Sequence, residues 1–372
     1  MSRYWNSRVQ SLTPYVPGEQ PRDRKFIKLN TNENPYPPSP AVIRAIKDAA
    51  GEGLRLYPDP GCGELRRAIA ERYGVNPEQV FVGNGSDEVL AFVFAALFSP
   101  APKDGADPGV PAPLPILFPD ITYSFYPVYA KLWDLPFRTL PLGDDFSIDI
   151  EAYRKPCGGV IFPNPNAPTG LALSLEETLS LAEYQEKQGR VVVVDEAYAA
   201  FGEGLSLVPH IGAHPNLLTV HTFSKWSALA GLRAGYAIGN GDLIEGLNRV
   251  RDSFNSYTLD RLAQAGAAAA IRDIPYYAGT RRRIIATRER VAGALLNLGY
   301  RVIPSSANFL FIRSPVKGGT ELFAALRERG ILARHFNQGR IADFLRVSIG
   351  TDEEMDLFLE ALRGIEGSKG GG

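Results

Sequence analysis

Short apolar runs mark the predicted strands of this chain, because they show no alternation of polar and apolar positions. Four valines stand in a row at 191–194, and comparable runs occur at 80–82, 159–162 and 217–220. A strand without alternation is buried on both of its faces, as in a parallel sheet that lies between layers of helices. The pattern therefore predicts an α/β fold with a mostly parallel central sheet flanked by helices.

Apolar residues at helical spacing fill the intervals between these runs. Ser39 and Pro40 are expected to begin one helix, since serine is a favoured N-cap and proline is tolerated in the first turn. Ser174 and Glu177 form a capping-box pattern that predicts the start of another helix. The region 276–298 is apolar at helical intervals and rich in arginine, which predicts a long helix bridging to a second domain.

The carboxyl-terminal region predicts a smaller α/β unit. Strands are expected at 300–303, 308–312 and 345–349, with helices near 321–328 and 353–363. The predicted division of the chain is an amino-terminal arm at 1–38, a large domain at 39–272, a small carboxyl-terminal domain at 273–366 and a flexible tail at 367–372.

The composition excludes several classes of function. A net charge of -1 over 372 residues lacks the basic excess of a nucleic-acid surface, and no apolar run approaches the roughly 20 residues that span a membrane. With only Cys62 and Cys157, neither a disulfide framework nor a metal site is expected. The expectation is a soluble, cytoplasmic protein. A segment rich in Pro, Gly and Asp at 99–115 is expected to be a surface excursion.

Chemically reactive side chains follow two of the predicted strands. Asp195 follows the valine run at 191–194. The run at 217–220 is followed by Thr222, Ser224, Lys225 and Arg233. Ligands of open α/β sheets bind beyond the carboxyl ends of the strands. Pyridoxal phosphate catalysis needs a Schiff-base lysine, a carboxylate at the pyridinium nitrogen, and an arginine with hydroxyls for the phosphate. Each residue alone is more often a surface charge or a helix cap, so only the combination indicates this cofactor.

The motifs DEAY, TFSK and GLRAGY resemble the cofactor signature of fold type I aminotransferases that use pyridoxal 5'-phosphate. The segments LTPYVPGEQP and FLRVSIGT near the two ends resemble the histidinol-phosphate aminotransferase branch of that family. The resemblance implies that Lys225 is the Schiff-base lysine and the base, that Asp195 faces the ring nitrogen, and that Tyr198 meets the phenolic oxygen. It also implies that Thr222, Ser224 and Arg233 hold the cofactor phosphate.

Further cofactor residues are implied by the resemblance, although their residue types alone give weaker support for this role. Gly85, Ser86 and Asp87 stand where a strand leads into a helix, a place that offers amides to a phosphate, although helix capping explains them about as well. The resemblance favours the phosphate and places Tyr123 over the cofactor ring. It also implies that Tyr57 reaches the cofactor phosphate of the neighbouring subunit, which would make the protein a homodimer.

One motif departs from the family pattern. Family members commonly have Asn immediately before the Pro of a PTG triplet, where it contacts the phenolic oxygen of the cofactor. This chain has Ala167 at that position and Asn166 one residue earlier. Asn166 is therefore a candidate cofactor-binding residue in place of the usual Asn.

The resemblance also implies a set of substrate-binding residues. Arg346 would hold a carboxylate or the equivalent end of the substrate, and Arg334 would hold the phosphate of histidinol phosphate. On sequence alone the two arginines could equally be ordinary ion-pair partners. The full implied set is Tyr15, Asn32, Glu33, Asn308, Arg334 and Arg346.

The function expected from the resemblance is transamination of L-histidinol phosphate with 2-oxoglutarate by a ping-pong mechanism, as a step of histidine biosynthesis. An aromatic amino acid aminotransferase and a threonine-phosphate decarboxylase on the same scaffold are alternatives. A catalytically inactive ligand-sensing module is an alternative of another class. The intact set of Asp195, Lys225 and Arg233 argues against that inactive module.

Overall fold

A computed structural model of the chain describes residues 3–15, 18–21, 24–100 and 113–367. Most of the predicted surface excursion and all but the first residue of the predicted tail lie outside the described residues. Helices are formed by α1 (Ser7–Ser11), α2 (Pro40–Ala49), α3 (Gly63–Tyr73), α4 (Gly85–Leu97), α5 (Tyr126–Leu132), α6 (Leu175–Lys187), α7 (Gly241–Phe254), α8 (Arg261–Arg272), α9 (Ile274–Asn297), α10 (Gly319–Glu328) and α11 (Asp352–Gly367). Strands are formed by β1 (Ile27–Lys28), β2 (Val80–Gly83), β3 (Ile116–Pro119), β4 (Phe137–Leu140), β5 (Gly159–Pro163), β6 (Val192–Asp195), β7 (Leu217–Thr222), β8 (Gly235–Gly239), β9 (Arg301–Ile303), β10 (Phe309–Arg313), β11 (Ile331–Leu332), β12 (Arg334–His335) and β13 (Phe344–Ser348).

A seven-stranded sheet forms the centre of the fold, in the order β2-β8-β7-β6-β5-β3-β4. Its strands from β7 to β4 are parallel, and β8 runs antiparallel to both of its neighbours. Val192 and Val194 pack into one hydrophobic cluster while Val193 packs into another. The predicted mostly parallel sheet, buried on both faces, is therefore confirmed.

A second, four-stranded antiparallel sheet has the order β12-β13-β10-β9, with its own hydrophobic cluster built partly from α9 and α11. The short strand β1, within the predicted arm, pairs in parallel with β11. The sequence predicted no strand in the arm, because two residues are too few to show periodicity. This pairing fastens the arm beside the smaller sheet, so the residues that follow β1 have a fixed position.

Most predicted helix starts agree with the structure. The Ser39 hydroxyl accepts from the amide of Val42, and Ser174 and Glu177 form the expected reciprocal capping box. Strands β3 and β4 were not predicted. The edge strand β4 exposes two of its four residues, so it lacks an apolar run. Within the described part of the chain, no helix combines the length and the apolar character needed to cross a bilayer.

Candidate active site

A cavity of about 360 Å³ lies where β6 and β7 end, and the arm and the smaller sheet contribute to its walls. It gathers most of the residues that the sequence singled out, from segments far apart in the chain. The predicted residues that line it are Tyr15, Asn32, Glu33, Ser86, Asp87, Tyr123, Asp195, Tyr198, Thr222, Ser224, Lys225, Arg233, Arg334 and Arg346.

Two predicted residues stand directly behind the cavity wall. Gly85 is the first residue of α4, and a side chain there would meet Nη2 of Arg233 at 2.7 Å. Asn308 is buried, and its Nδ2 donates to the backbone carbonyl of Asn32 at 3.0 Å. Both residues therefore support residues that line the cavity rather than facing it.

Tyr57 lies away from the cavity of its own chain. Its side chain is 78% exposed, and its ring stacks on Tyr257 with 4.6 Å between centroids. The contact with a neighbouring subunit stays a prediction.

Asn166 does not line the cavity, because its amide is engaged elsewhere. Its Nδ2 donates to the carbonyl of Ile121 at 3.0 Å and to Oγ1 of Thr169 at 3.2 Å. Its Oδ1 accepts from the hydroxyl of Thr122 at 3.1 Å. Ala167 lines the cavity instead. The side chain of Asn166 thus braces the loop after β5, and the structure does not bring it to the site.

Lys225 follows β7 and points its amine into the cavity. Nζ donates to the backbone carbonyl of Thr31 at 3.0 Å, while Nδ2 of Asn34 donates to the backbone carbonyl of Lys225 at 3.1 Å. Burial, with a contribution from the positive charge of Arg346, lowers the pKa of Lys225 to about 8. A buried amine with such a pKa is partly neutral near pH 7 to 8, and a neutral amine can act as nucleophile or base.

Asp195 ends β6 with its carboxyl group facing the cavity. Oδ1 accepts from the amide of Ala197 at 3.0 Å, and the hydroxyl of Tyr126 donates to Oδ2 at 3.4 Å. Burial raises the pKa of Asp195 to about 7. A positive group placed beside this carboxylate would favour its ionised form. The site is therefore suited to a protonated ring nitrogen.

Tyr198 stands between Asp195 and the smaller sheet. Its hydroxyl accepts from Nδ2 of Asn32 at 3.0 Å, and Nζ of Lys225 lies 5.9 Å from its ring centroid. Asn32 is itself held by the hydroxyl of Ser348, which donates to its Oδ1 at 3.0 Å. The phenol is thus fixed by a buried network that joins the arm to β13.

One end of the cavity is an arginine cradle built around Arg233. Nη2 of Arg233 lies 2.8 Å from Oδ2 of Asp87, and Nη1 donates to the hydroxyl of Ser224 at 3.4 Å. The hydroxyl of Tyr123 donates to the other oxygen of Asp87 at 2.7 Å. A side chain at Gly235 would meet the backbone amide of Ser86 at 2.4 Å. Glycine there lets the start of α4 approach the cradle, as an anion site at a helix N-terminus needs.

The other end of the cavity carries two further arginines. Arg334 and Arg346 are directly opposite each other in the β12–β13 pairing. Nη2 of Arg346 donates to the carbonyl of Asn30 at 3.1 Å, but its buried Nε has no hydrogen-bond partner in the structure. Arg346 forms no ion pair with any described residue. A half-buried guanidinium without a counter-charge among the described residues favours an anionic ligand here.

Several site residues were missed by sequence reasoning. Thr31 contributes only its backbone carbonyl to Lys225, and a backbone contact leaves no mark on residue type. Phe125 was not among the predicted site residues, yet it lines the cavity and stacks on Tyr15 with 4.2 Å between centroids. The aromatic cluster around Tyr123 was the available signal, but it could not separate lining rings from packed ones.

The donor set fits pyridoxal 5'-phosphate. That cofactor presents an aldehyde, a ring nitrogen, a phenolic oxygen and a phosphate, and the cavity offers Lys225, Asp195, Tyr198 and Arg233 respectively. Arg346 also lines the cavity, lies outside these four and is left for a second anion. No cluster of three or more His, Cys, Asp or Glu side chains suited to a metal ion occurs among the described residues.

Comparison with known proteins agrees with this geometry. A family model described as aminotransferase class I and II matches residues 24–362. The chain is 54% identical over 365 residues to histidinol-phosphate aminotransferase 2 of Thiobacillus denitrificans, with 98% of each chain covered. It is 53% identical over 363 residues to the histidinol-phosphate aminotransferase of Clostridium acetobutylicum, covering 98% of this chain and 99% of that one. The crystal structure of histidinol-phosphate aminotransferase from Sinorhizobium meliloti in complex with pyridoxal-5'-phosphate is 26% identical, with a TM-score of 0.86 and 99% of each chain covered.

Proposed function

Because this chain belongs to the class I and class II aminotransferases, we propose that it transfers the amino group of L-histidinol phosphate to 2-oxoglutarate. The products are imidazole acetol phosphate and L-glutamate, and the reaction is the transamination step of histidine biosynthesis. The names of the relatives at 53% and 54% identity support this substrate over an aromatic amino acid, a threonine phosphate or an inactive sensing role.

The observation that carries the proposal is the presence of a second anion site in the same cavity. Arg233 at one end suits the phosphate of the cofactor, and Arg334 and Arg346 remain at the other end. A substrate with its own phosphate supplies a counter-charge for Arg346, which forms no ion pair with any described residue. The carboxylates of 2-oxoglutarate and glutamate meet the same need in the second half of a ping-pong cycle.

Each catalytic side chain has a task that follows from its surroundings. Pyridoxal 5'-phosphate, when bound, supplies a carbonyl carbon for the amine and a ring that accepts electrons. Nζ of Lys225 takes a proton from the amine-bearing carbon of the substrate, a role suited to its lowered pKa of about 8. The Asp195 carboxylate holds the positive ring nitrogen, and the Tyr198 hydroxyl holds the phenolic oxygen. Arg233 and Ser224 orient the phosphate.

The remaining expectations concern assembly and organisation. A homodimer, in which Tyr57 of each chain reaches the site of its neighbour, is supported by the exposure of Tyr57 and of Tyr257, on which it stacks, at 78% and 43%. We also propose a cytoplasmic location and the division into arm, large domain and small domain. The separate sheets and hydrophobic clusters support that division.

The proposal is tested by measuring glutamate formed from 2-oxoglutarate with L-histidinol phosphate as donor. Lys225→Ala should abolish turnover while circular dichroism stays unchanged, because only the amine at the centre of the cavity is lost. Lys131→Ala removes an exposed lysine of α5 and should keep wild-type turnover. Full activity of Lys225→Ala would refute the mechanism, and glutamate formed with phenylalanine but not with histidinol phosphate would refute the substrate.

A further inference from the structure

Asp87, in the first turn of α4, holds two other residues of the cavity at once. Nη2 of Arg233 lies 2.8 Å from Oδ2 of Asp87, and the hydroxyl of Tyr123 donates to Oδ1 at 2.7 Å. The backbone of Asp87 is held as well, because the hydroxyl of Tyr129 donates to its carbonyl at 2.9 Å. The carboxylate therefore joins the tyrosine expected over the cofactor ring to the arginine expected at the cofactor phosphate.

Phosphate binding does not explain a carboxylate at this place. The start of α4 and the guanidinium of Arg233 both favour an anion, and a carboxylate beside them repels one. The ion pair adds little to stability either, because the side chains of Arg233 and Asp87 are 43% and 39% exposed. The side chain of Asp87 is better explained by its other partner, Tyr123.

Tyr123 needs such a partner to keep its ring in place. It lies in the segment 120–125 between β3 and α5, which forms neither helix nor strand. Its ring meets Tyr126 edge to face, with 5.8 Å between centroids. Burial, with a contribution from the negative charge of Asp87, raises the pKa of Tyr123 well above its usual value. The hydroxyl thus keeps its proton, and Oδ1 of Asp87 is its hydrogen-bond acceptor among the described residues.

We propose that Asp87 is a positioning residue that acts on the reaction by holding the ring of Tyr123 against the cofactor. Because this role assumes bound pyridoxal 5'-phosphate, it rests on the proposed function. A fixed Tyr123 ring fixes the plane of the cofactor ring beside it. The amine-bearing carbon of the substrate then stays within reach of Nζ of Lys225, which is the alignment that proton transfer needs.

The charge of Asp87 offers a second route to the same chemistry, and asparagine separates the two. Burial lowers the pKa of Lys225 to about 8, and the negative charge of Asp87 opposes that shift. Asparagine keeps an oxygen that can accept from Tyr123 but carries no charge. Alanine removes both the oxygen and the charge.

The test measures two properties of the protein loaded with pyridoxal 5'-phosphate: the visible circular dichroism per bound cofactor, and the rate of the half-reaction with L-histidinol phosphate. Asp87→Ala should lower the circular dichroism and slow the half-reaction about tenfold or more, because the ring loses its anchor. Asp87→Asn should recover most of both. The matched control is Asp242→Ala, at an exposed aspartate in the first turn of α7 and outside the cavity lining, and it should equal the wild type.

Tyr123→Phe removes the same hydrogen bond from the other side while it keeps the ring, so it should reproduce both losses. If Asp87 acts through Tyr123, Asp87→Ala should slow the half-reaction of the Tyr123→Phe protein by no more than about twofold.

Three results would overturn the proposal. The first is a Tyr123→Phe protein with wild-type circular dichroism and rate, and the second is losses in Asp87→Ala and Tyr123→Phe that multiply in the double variant. The third is an Asp87→Asn protein that behaves like Asp87→Ala, since the charge would then be the cause. A wild type that binds no pyridoxal 5'-phosphate would refute the proposed function itself, whereas any of these three results in a wild type that binds and reacts refutes only the role of Asp87.

Discussion

Replacing Arg346 with methionine should leave the cofactor-free fold as stable as the wild type or more stable, while it weakens anion binding. Among the described residues, the guanidinium makes one hydrogen bond, to the carbonyl of Asn30, and buries Nε without a partner. Methionine has a similar length and no polar group to satisfy. Arg346 would therefore be a residue kept for its ligand at a cost to the fold.

The magnitude follows from two opposing contributions. Loss of the hydrogen bond to Asn30 should lower the free energy of unfolding by about 1 kcal/mol, and removal of the unpartnered buried donor should raise it by about 1–3 kcal/mol. The free energy of unfolding should thus change by between zero and roughly 2 kcal/mol in the stabilising direction. A further gain comes from Lys225, whose pKa is held at about 8 partly by the charge of Arg346. Because a depressed lysine pKa destabilises the folded state below the unfolded pKa, relief of that depression also favours folding near pH 7.

Two assays measure the two effects separately. Urea unfolding of the cofactor-free protein at pH 7 gives the stability change, and titration of the cofactor-loaded protein with 2-oxoglutarate gives the affinity. Loss of a charged hydrogen-bonding partner should weaken that binding by about tenfold or more. Arg313→Met is the control, because Arg313 is an exposed residue of β10. It should change stability by no more than about 0.5 kcal/mol and leave affinity unchanged.

The opposite pattern would refute the reasoning. If Arg346→Met lost more than about 2 kcal/mol of stability and bound 2-oxoglutarate as tightly as the wild type, Arg346 would be an ordinary structural residue. The sequence left that alternative open for both strand arginines.

Two further predictions follow from the same cavity. The rate at which the cofactor-free protein captures pyridoxal 5'-phosphate should rise with pH, with the midpoint of the rise near pH 8. Lys225 reacts only as the neutral amine, and its pKa is lowered to about 8. A midpoint near the ordinary lysine pKa of about 10.4 would contradict this prediction. Tyr198→Phe should lower the free energy of unfolding, measured in urea, by about 1–3 kcal/mol, because it leaves the buried Nδ2 of Asn32 without its acceptor. Tyr57→Phe changes a tyrosine that is 78% exposed and should leave the free energy of unfolding almost unchanged. Equal effects of the two changes would contradict the buried network.

The parts of the site that the sequence predicted are those in which a strand end and a reactive residue coincide. Asp195 ends β6 and Lys225 follows β7, and both strands have clear apolar runs. Successive valines of β6 pack on alternate faces of the sheet. Their shared position at one sheet edge then follows from parallel pairing. Gly85 was also singled out at a strand end, but it lies behind the cavity wall, where a side chain would meet Nη2 of Arg233 at 2.7 Å.

The parts that the sequence did not predict depend on tertiary contacts without a local pattern. Strand β1 is two residues long and exists through its pairing with β11. The backbone carbonyl of Thr31 receives the lysine amine only because that pairing fixes the arm. Asn166 has the right residue type in nearly the right place, but three nearby partners take its amide. Residue type alone does not say which way a side chain turns.

The most direct test of the central claim is a single half-reaction. Cofactor-loaded protein is mixed with L-histidinol phosphate alone, and then with phenylalanine alone, while absorbance follows conversion of the cofactor from its aldehyde to its amine form. Fast and complete conversion with histidinol phosphate, slow conversion with phenylalanine and none in Lys225→Ala is the result expected from the two anion ends of the cavity. Fast conversion with phenylalanine and none with histidinol phosphate would contradict the proposed substrate, and no conversion with either would contradict the proposed chemistry.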